Sequence, residues 1–445
     1  MSMRRTRKGR AVLLGTALAL ALVGCGTASS DGDATIGETQ AQERIVADST
    51  AGDSATGDGG SVEQQVMATA NVTSTGVIDA TDLFTTRDLE QVADTSGATA
   101  IALADGQDVQ IAQEGVYVVS GTARNATITV DVDSTEKVQI VLDGASITND
   151  DFPCIYVVSA DKVFVTTTEG SHNSLEVTGA FVADGETNTD AVIFSRDDLV
   201  LNGLGTLVVT SSDNGISSKD DLKVTGGTYE VTAASDALEA NDSIAIADGT
   251  ISISTSKDGL HAEDDEDDTT GYIYICGGTL GIDAGSDGIQ ATTYLQIDGG
   301  SVTVVAGEGL ESTYVQVNGG TIDLTASDDG INATTKSSSV GTPTIDIRGG
   351  SITVTMGAGD TDALDANGNL YISGGTVNIS AQFAFDYDGE GVLSGGEVYV
   401  NGEQVSEIAE SMMMGGMGGP GGDMGGGPMM GGGPGGGMGG PGNWG

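Results

Sequence analysis

From about residue 190 to residue 400 one phrase keeps returning, and no feature of the chain constrains its fold more. In residues 287–306 it reads DGIQATTYLQIDGGSVTVVA. An acid or its amide precedes Gly or Ala and then Leu or Ile. A short apolar run follows, then Gly-Gly, then Thr or Ser and a stretch of strict alternation. Aligned on Gly205, Gly227, Gly249, Gly278, Gly300, Gly320, Gly350, Gly375 and Gly396, the copies lie 22, 22, 29, 22, 20, 30, 25 and 21 residues apart. The basic period is therefore near 21–22 residues, and the longer intervals carry loops. One loop holds His261 and the acids Glu263 to Asp268, a second covers residues 336–343, and a third residues 356–361.

A period of this length with two or three short β segments predicts a parallel β-solenoid, an all-β fold. Leucine-rich repeats share the length, but their Leu/Asn signature is absent, and a propeller blade needs about 40 residues. Stacked coils sit about 4.8 Å apart, so like residues form ladders along the axis. Alternation assigns the faces. The second and fourth residues before the first Gly of each doublet are apolar (Leu222 and Val224, Ile273 and Ile275, Leu295 and Ile297, Val315 and Val317, Ile345 and Ile347) and point inward. The doublet turns the corner between sheets, where a Cβ does not fit. Residues 101–165 carry short alternating runs of the same kind without the full signature.

The ends read differently. Arg4 to Arg10 are basic, residues 11–23 are apolar, and Leu22-Val23-Gly24-Cys25 follows, resembling a bacterial lipobox. Thirteen apolar residues are too few to span a bilayer and suit a signal peptide. The expectation is a lipoprotein signal over residues 1–24, a lipidated Cys25, and an extracytoplasmic chain held to the bacterial cell membrane. Residues 25–75, rich in Asp, Gly, Ser and Thr, predict a flexible tether. Residues 80–95 predict a short helical N-terminal cap over the open end of the solenoid, with Leu83, Phe84, Leu89 and Val92 as its apolar positions. Residues 76–405 form the solenoid domain, and residues 406–445, almost all Gly, Met and Pro in their last part, predict a disordered tail. Cys154 and Cys276 fall several coils apart and are not expected to pair.

With 65 acids against 16 Lys and Arg the net charge is −49. Nucleic-acid binding is excluded, because it needs basic patches. The acids are ordered along the repeat. Asp236, Asp258, Asp287, Glu308, Asp329 and Asp362 start copies; three residues on stand Glu239, His261, Gln290, Glu311, Asn332 and Asp365. Two carboxylates about 5 Å apart repel by roughly 3 kcal/mol at an effective dielectric of 20. Calcium takes six to eight oxygens in flexible geometry and suits such a ladder. Asp236, Glu239, Asp258, Asp287, Glu308, Glu311, Asp329, Asp362 and Asp365 are its candidate ligands. The alternative is that each Asp only caps a turn by accepting backbone N–H groups.

Tyr272, Tyr294 and Tyr314 each stand five residues before the first doublet Gly of three consecutive copies. Their parity sends them outward, as an exposed aromatic ladder on which sugar rings can stack or as a like-pair stack that stabilises the sheet.

A set of phrases carries a family resemblance: YVVSG at 117–121, VQIVLDG at 138–144, DKVFV at 161–165 followed by HNSL at 172–175, AVIFSRDD at 191–198, SSKDD at 217–221 and DALDANGNLYISGG at 362–375. Over residues 77–400 the chain resembles the extracellular carbohydrate-binding β-helix proteins first described from cellulolytic clostridia. The resemblance implies a right-handed, single-stranded parallel β-helix, calcium along it, and binding of cellulose or acidic, pectin-like polysaccharide without lyase activity; the chain is expected to be a monomer. Two other classes stay open: a structural or adhesive surface solenoid with no specific glycan, and a calcium-dependent lyase using Lys219 or Lys257 as base.

Overall fold

The computed structural model describes residues 76–358 and 361–409. The expected signal peptide, Cys25, the expected tether and most of the Gly/Met/Pro tail lie outside them. The chain is all-β: among the described residues there are strands, turns and bends and no helix. No helix there is long and apolar enough to cross a membrane.

The strands pair coil upon coil. Tyr272–Ile275 pairs in parallel with the strand Ser243–Thr255 before it and with Asp287–Ile297 after it. Thr279–Asp283 pairs with Ser243–Thr255 and with Ser301–Ala306. Leu260–Ala262 pairs with Leu238–Ala240 and Asp287–Ile297. Each coil thus contributes three strand segments to three faces. The faces are called first (before the Gly doublet), second (after it) and third (following the acid that starts a copy). Within the stack the pairing is parallel. The chain closes it with the antiparallel pair of Glu397–Val400 and Glu403–Val405.

The inward rows are as the alternation requires. Leu222, Ile244, Ile273, Leu295, Val315, Ile345 and Leu370 stack in one, and Val224, Ile246, Ile275, Ile297, Val317, Ile347 and Ile372 in the next, all with no exposed surface. Full burial of one such side chain contributes about 1.5–3 kcal/mol. The doublets turn the corner between the first and second faces. Gly300 has φ +87°, and a Cβ on it would lie 2.8 Å from the carbonyl oxygen of Gly277 in the coil below. Cys154 is a free, buried thiol.

The expected N-terminal cap is corrected. Residues 77–91 form turns and bends, and they do not cover an end of the stack. They run as a strap down the outside of the first face, over the outward row Phe164, Val200, Lys223, Ala245, Tyr274, Gln296 and Gln316. The N–H of Val77 donates to Gln316 Oε1 (3.1 Å) and that of Ile78 to Gln296 Oε1 (2.8 Å). Lys223 Nζ donates to the carbonyl of Leu83 (2.8 Å), Lys162 pairs with Asp88 (3.3 Å), and the Arg87 guanidinium lies 4.5 Å over the Phe164 ring. Gln91 donates to the carbonyl of Thr225 and accepts from the N–H of Gly203. The physical reason is the row itself. Phe164, Val200, Ala245 and Tyr274 point outward, and without the strap they would face water. Val92, one of the expected apolar positions, is instead 71 % exposed.

Candidate functional site: the acid row of the third face

The repeat places its first acid where the chain enters the third face and its second three residues on. Register fixes the first row from Asp258 at one coil to Asp287 and then Glu308 at the next two. The second row runs Ser217, Glu239, His261, Gln290, Glu311, Asn332, Asp365, Asp386.

In the first row, one oxygen of Asn214, Asp236, Asp258 and Asp329 caps the next coil. Asn214 Oδ1 accepts the N–H of Asp236 (2.9 Å), Asp236 Oδ1 that of Asp258 (3.0 Å), Asp258 Oδ1 that of Asp287 (2.9 Å) and Asp329 Oδ1 that of Asp362 (3.1 Å). The capping alternative is therefore present, and it uses one oxygen of each carboxylate. The series breaks at Asp287, because the N–H of Glu308 turns instead to the carbonyl of Ser286 (3.3 Å).

The neutralisation of these acids is uneven. In the upper coils Lys219 pairs with Glu239 (2.9 Å) and Lys257 with Asp236 (3.4 Å). His261 Nδ1 lies 3.4 Å from Asp236 Oδ2 and 3.8 Å from Asp258 Oδ2, and its Nε2 is 3.0 Å from Glu263 Oε2. Burial works against a charged His261 ring, but hydrogen bonds to Asp236 and Glu263 and the charges around it outweigh burial and push it up to about 10. Burial likewise raises Asp236, and the His261 and Asp258 N–H bonds overcome that and hold it below the usual carboxylate range.

The lower coils lack this compensation. Asp287, Glu308 and Glu311 converge, with carboxylate oxygens all within 4.8 Å of one another. Across Asp287, Glu308, Glu311, Asp329 and Asp365 the described residues supply one ion pair, Lys336 Nζ to Glu311 Oε2 at 2.7 Å. Burial, followed by the charges of Asp258, Glu311 and Glu308, raises Asp287. Burial first, with Glu311 and Asp329 nearby, pushes Glu308 up to about 7, and burial with Asp329, Asp386 and Asp362 takes Asp365 to about 7. Asn332, which the sequence did not mark among the candidate ligands, belongs to this cluster. Its Nδ2 donates to Glu308 Oε2 (3.0 Å), while its Oδ1 is buried with no hydrogen-bond partner among the described residues.

Two loops stand beside the row. Glu263 folds back to His261 and accepts from Gln290 Nε2 (3.1 Å), while Asp268 reaches the second loop and accepts the N–H of Ser338 (2.8 Å). Glu266 stays exposed. A second acidic group, Asp198, Asp220 and Asp221, lies beside Lys162 and Lys223 at the corner between the third and first faces. The chain spells it in the paired acids at 197–198 and 220–221, which were legible only as motif fragments.

The tyrosines point outward in register, Tyr294 against Tyr314 with ring centroids 6.1 Å apart and tilted by 46°. They are half-buried, not an open ladder. Tyr272 and Tyr294 pack with Ile78, Leu83 and Phe84 of the strap, and Tyr314 donates to Asp346 Oδ2 (3.0 Å).

Comparison with known proteins places the chain beside glycan binders. The family model described as carbohydrate-binding domain-containing protein matches residues 105–313 and 309–411. A carbohydrate-binding domain-containing protein of Acetivibrio thermocellus is 36 % identical over 124 residues, 27 % of this chain and 43 % of the relative, so the chain spans less than half of that protein's length. A solved polysaccharide lyase-like protein from C. thermocellum, studied as a gadolinium derivative, is similar at 31 % identity over 51 % of this chain and 93 % of its own, with a TM-score of 0.43.

Proposed function

The chain belongs to the family of carbohydrate-binding domain-containing proteins, and from that premise we propose that it holds extracellular polysaccharide against the acid row of its third face through calcium. In this reading the stack of coils is a right-handed, single-stranded parallel β-helix, in keeping with the strong preference of parallel crossovers for that hand. The protein works as a monomer tethered to the cell membrane by a lipid on Cys25, and it does no chemistry on the glycan.

One observation carries the proposal: three carboxylates converge at Asp287, Glu308 and Glu311 with a single lysine to balance them. The donor set fits the ion. Carboxylate oxygens and the unpartnered Asn332 Oδ1 are hard ligands, and calcium accepts six to eight of them in loose geometry. When bound, the ion supplies positive charge and open coordination positions on the outward side. Asp287, Glu308, Glu311 and Asn332 hold it from below, and Asp329, Asp362 and Asp365 extend the same surface by one or two coils. Asp236, Glu239 and Asp258, whose charge is met by Lys219, Lys257 and His261, are the weaker calcium positions. The acids also account for the dependence on an ion, since a chain of net charge −49 repels a uronate polymer unless a cation stands between them. The open edges of Tyr272, Tyr294 and Tyr314 offer a second, aromatic contact to sugars.

A lyase needs a free base, and Lys219, Lys257 and Lys336 are each paired to an acid of the row. Binding without cleavage is therefore the better supported reading. The test is retention of the purified chain on pectin, cellulose, xylan and chitin, with calcium and with a chelator. Retention on pectin that is lost on chelation, with no new absorbance from 4,5-unsaturated uronate, is the expected result. Unsaturated product points to a lyase, and no retention on any glycan leaves a structural surface protein.

A further inference from the structure

The second row contains one nitrogen donor. Where other coils carry Glu239, Gln290, Glu311, Asn332 and Asp365, this coil carries His261. Its Nδ1 faces Asp236 Oδ2 at 3.4 Å and Asp258 Oδ2 at 3.8 Å. Donors of a tetrahedral site with bonds of about 2.0–2.1 Å stand roughly 3.3 Å apart; both nitrogen–oxygen distances are near that, and all three ligand atoms lie within 4.8 Å of one another.

Both carboxylates are held in place for this. Asp236 is 4 % and Asp258 6 % exposed. Their Oδ1 atoms are pinned by the N–H groups of Asp258 and Asp287, which turns both Oδ2 atoms toward the imidazole. Asp258 Oδ2 faces His261 Nδ1 at 3.8 Å, beyond hydrogen-bond reach, on a side chain that is 8 % exposed. On the other side of the ring, Nε2 lies 3.0 Å from Glu263 Oε2, and Gln290 Nε2 donates to the same oxygen at 3.1 Å. With Nε2–H donating to Glu263 the ring's orientation is fixed, and a metal ion that binds at Nδ1 displaces the proton held there.

We propose that Asp236, Asp258 and His261 form a site for a transition-type divalent cation such as zinc, with Glu263 as the residue that positions the imidazole. An imidazole with two carboxylates suits zinc, nickel or iron, whereas calcium prefers oxygen donors throughout. Lys257 Nζ, 3.4 Å from Asp236 Oδ2 on a side chain 57 % exposed, is the group that withdraws into solvent when the ion arrives. The site takes over Asp236 and Asp258 from the weaker calcium positions, is separate from the calcium group at Asp287, Glu308 and Glu311, and does not depend on the glycan reading.

The chain has two histidines, and His172 is exposed on the second face, so it serves as an internal control. The experiment is calorimetric titration of the untagged chain with zinc in millimolar calcium. It is repeated for H261Q, H172Q, E263Q and D258N, whose amide keeps an acceptor for the Asp287 N–H. The expected result is one zinc site per chain in the wild type and in H172Q. Affinity falls at least tenfold in H261Q and D258N, and about tenfold in E263Q, while calcium binding is unchanged in H261Q. Cobalt in place of zinc gives visible absorption bands that H261Q lacks. Equal zinc affinity in the wild type and H261Q, or zinc displaced by millimolar calcium, overturns the site.

Discussion

Asp287 stands where the capping series breaks, and its position separates two roles that the sequence could not. In the chain, every acid that starts a copy looks alike, and calcium ligation, with turn capping as its alternative, is open to each. The structure shows Asp236, Asp258 and Asp329 capping the next coil with one oxygen, which leaves the other for a second partner. The amide that Asp287 would cap has gone to Ser286, so it meets Glu308 and Glu311 instead. Spacing made the rows legible. It could not show which coil a lysine reaches, because Lys336 comes from a loop two copies after Asp287, or that Asn332 leaves an oxygen buried and unpartnered. Replacing Asp287 by Asn keeps its shape and removes one of three crowded charges. The D287N chain without metal is expected to melt higher than the wild type by an amount on the order of 1 kcal/mol, about 2 °C for a chain of this size. Its melting temperature should respond far less to calcium. Calorimetric melts in chelator and in calcium measure both, and a D287N chain less stable than the wild type in chelator would falsify the crowding.

The strap is the element the sequence placed wrongly. Leu83, Phe84 and Leu89 were visible as apolar positions, and an open solenoid end calls for a cover. The chain also held the signal that contradicts a cap. At the third position before the doublet, an outward one, it has Ala245 and Tyr274 where solvent would favour a polar residue, then Gln296 and Gln316 in consecutive copies. Apolar outward residues imply a covering segment, and amides in register imply a backbone to bond. Removing both amides as Q296A/Q316A leaves the N–H groups of Val77 and Ile78 without their acceptors, at a cost of about 1–3 kcal/mol for each group that stays buried. The first turn of the strap should then lift from Tyr274 and the half-buried Tyr272 and Tyr294. Hydrogen exchange at Val77 and Ile78 is expected to lose its protection while the inward rows keep theirs. Unchanged protection at both amides would mean that apolar packing of Ile78 and Phe84 holds the strap by itself.

Across the whole molecule the rows make stability a function of pH in a direction opposite to that of most acidic proteins. An acid whose folded pKa is lowered supports the fold above its unfolded value, and Asp236 and Glu263 are of that kind, losing their contribution below about pH 4. Glu308 and Asp365, both pushed up to about 7 chiefly by burial, behave in the other sense. Between their unfolded values near 4 and their folded values, the native chain binds more protons than the unfolded one, so stability falls as pH rises. Asp287 and Asp329, raised first by burial and then by neighbouring carboxylates, add to the same slope. His261, raised to about 10, contributes in full below its unfolded value and loses that contribution as pH climbs toward 10, again in the same direction. Without metal these groups make the chain's stability fall from about pH 5 through pH 7, which is the expected outcome of the melts. A cation on the row replaces the protons that are lost and should flatten this decline. Melting temperatures from pH 4 to pH 9, in chelator and in millimolar calcium, test the balance. A chain in chelator that gains stability from pH 5 to pH 8 shows that its acids are already satisfied by protein groups, and the row then has no need of an ion.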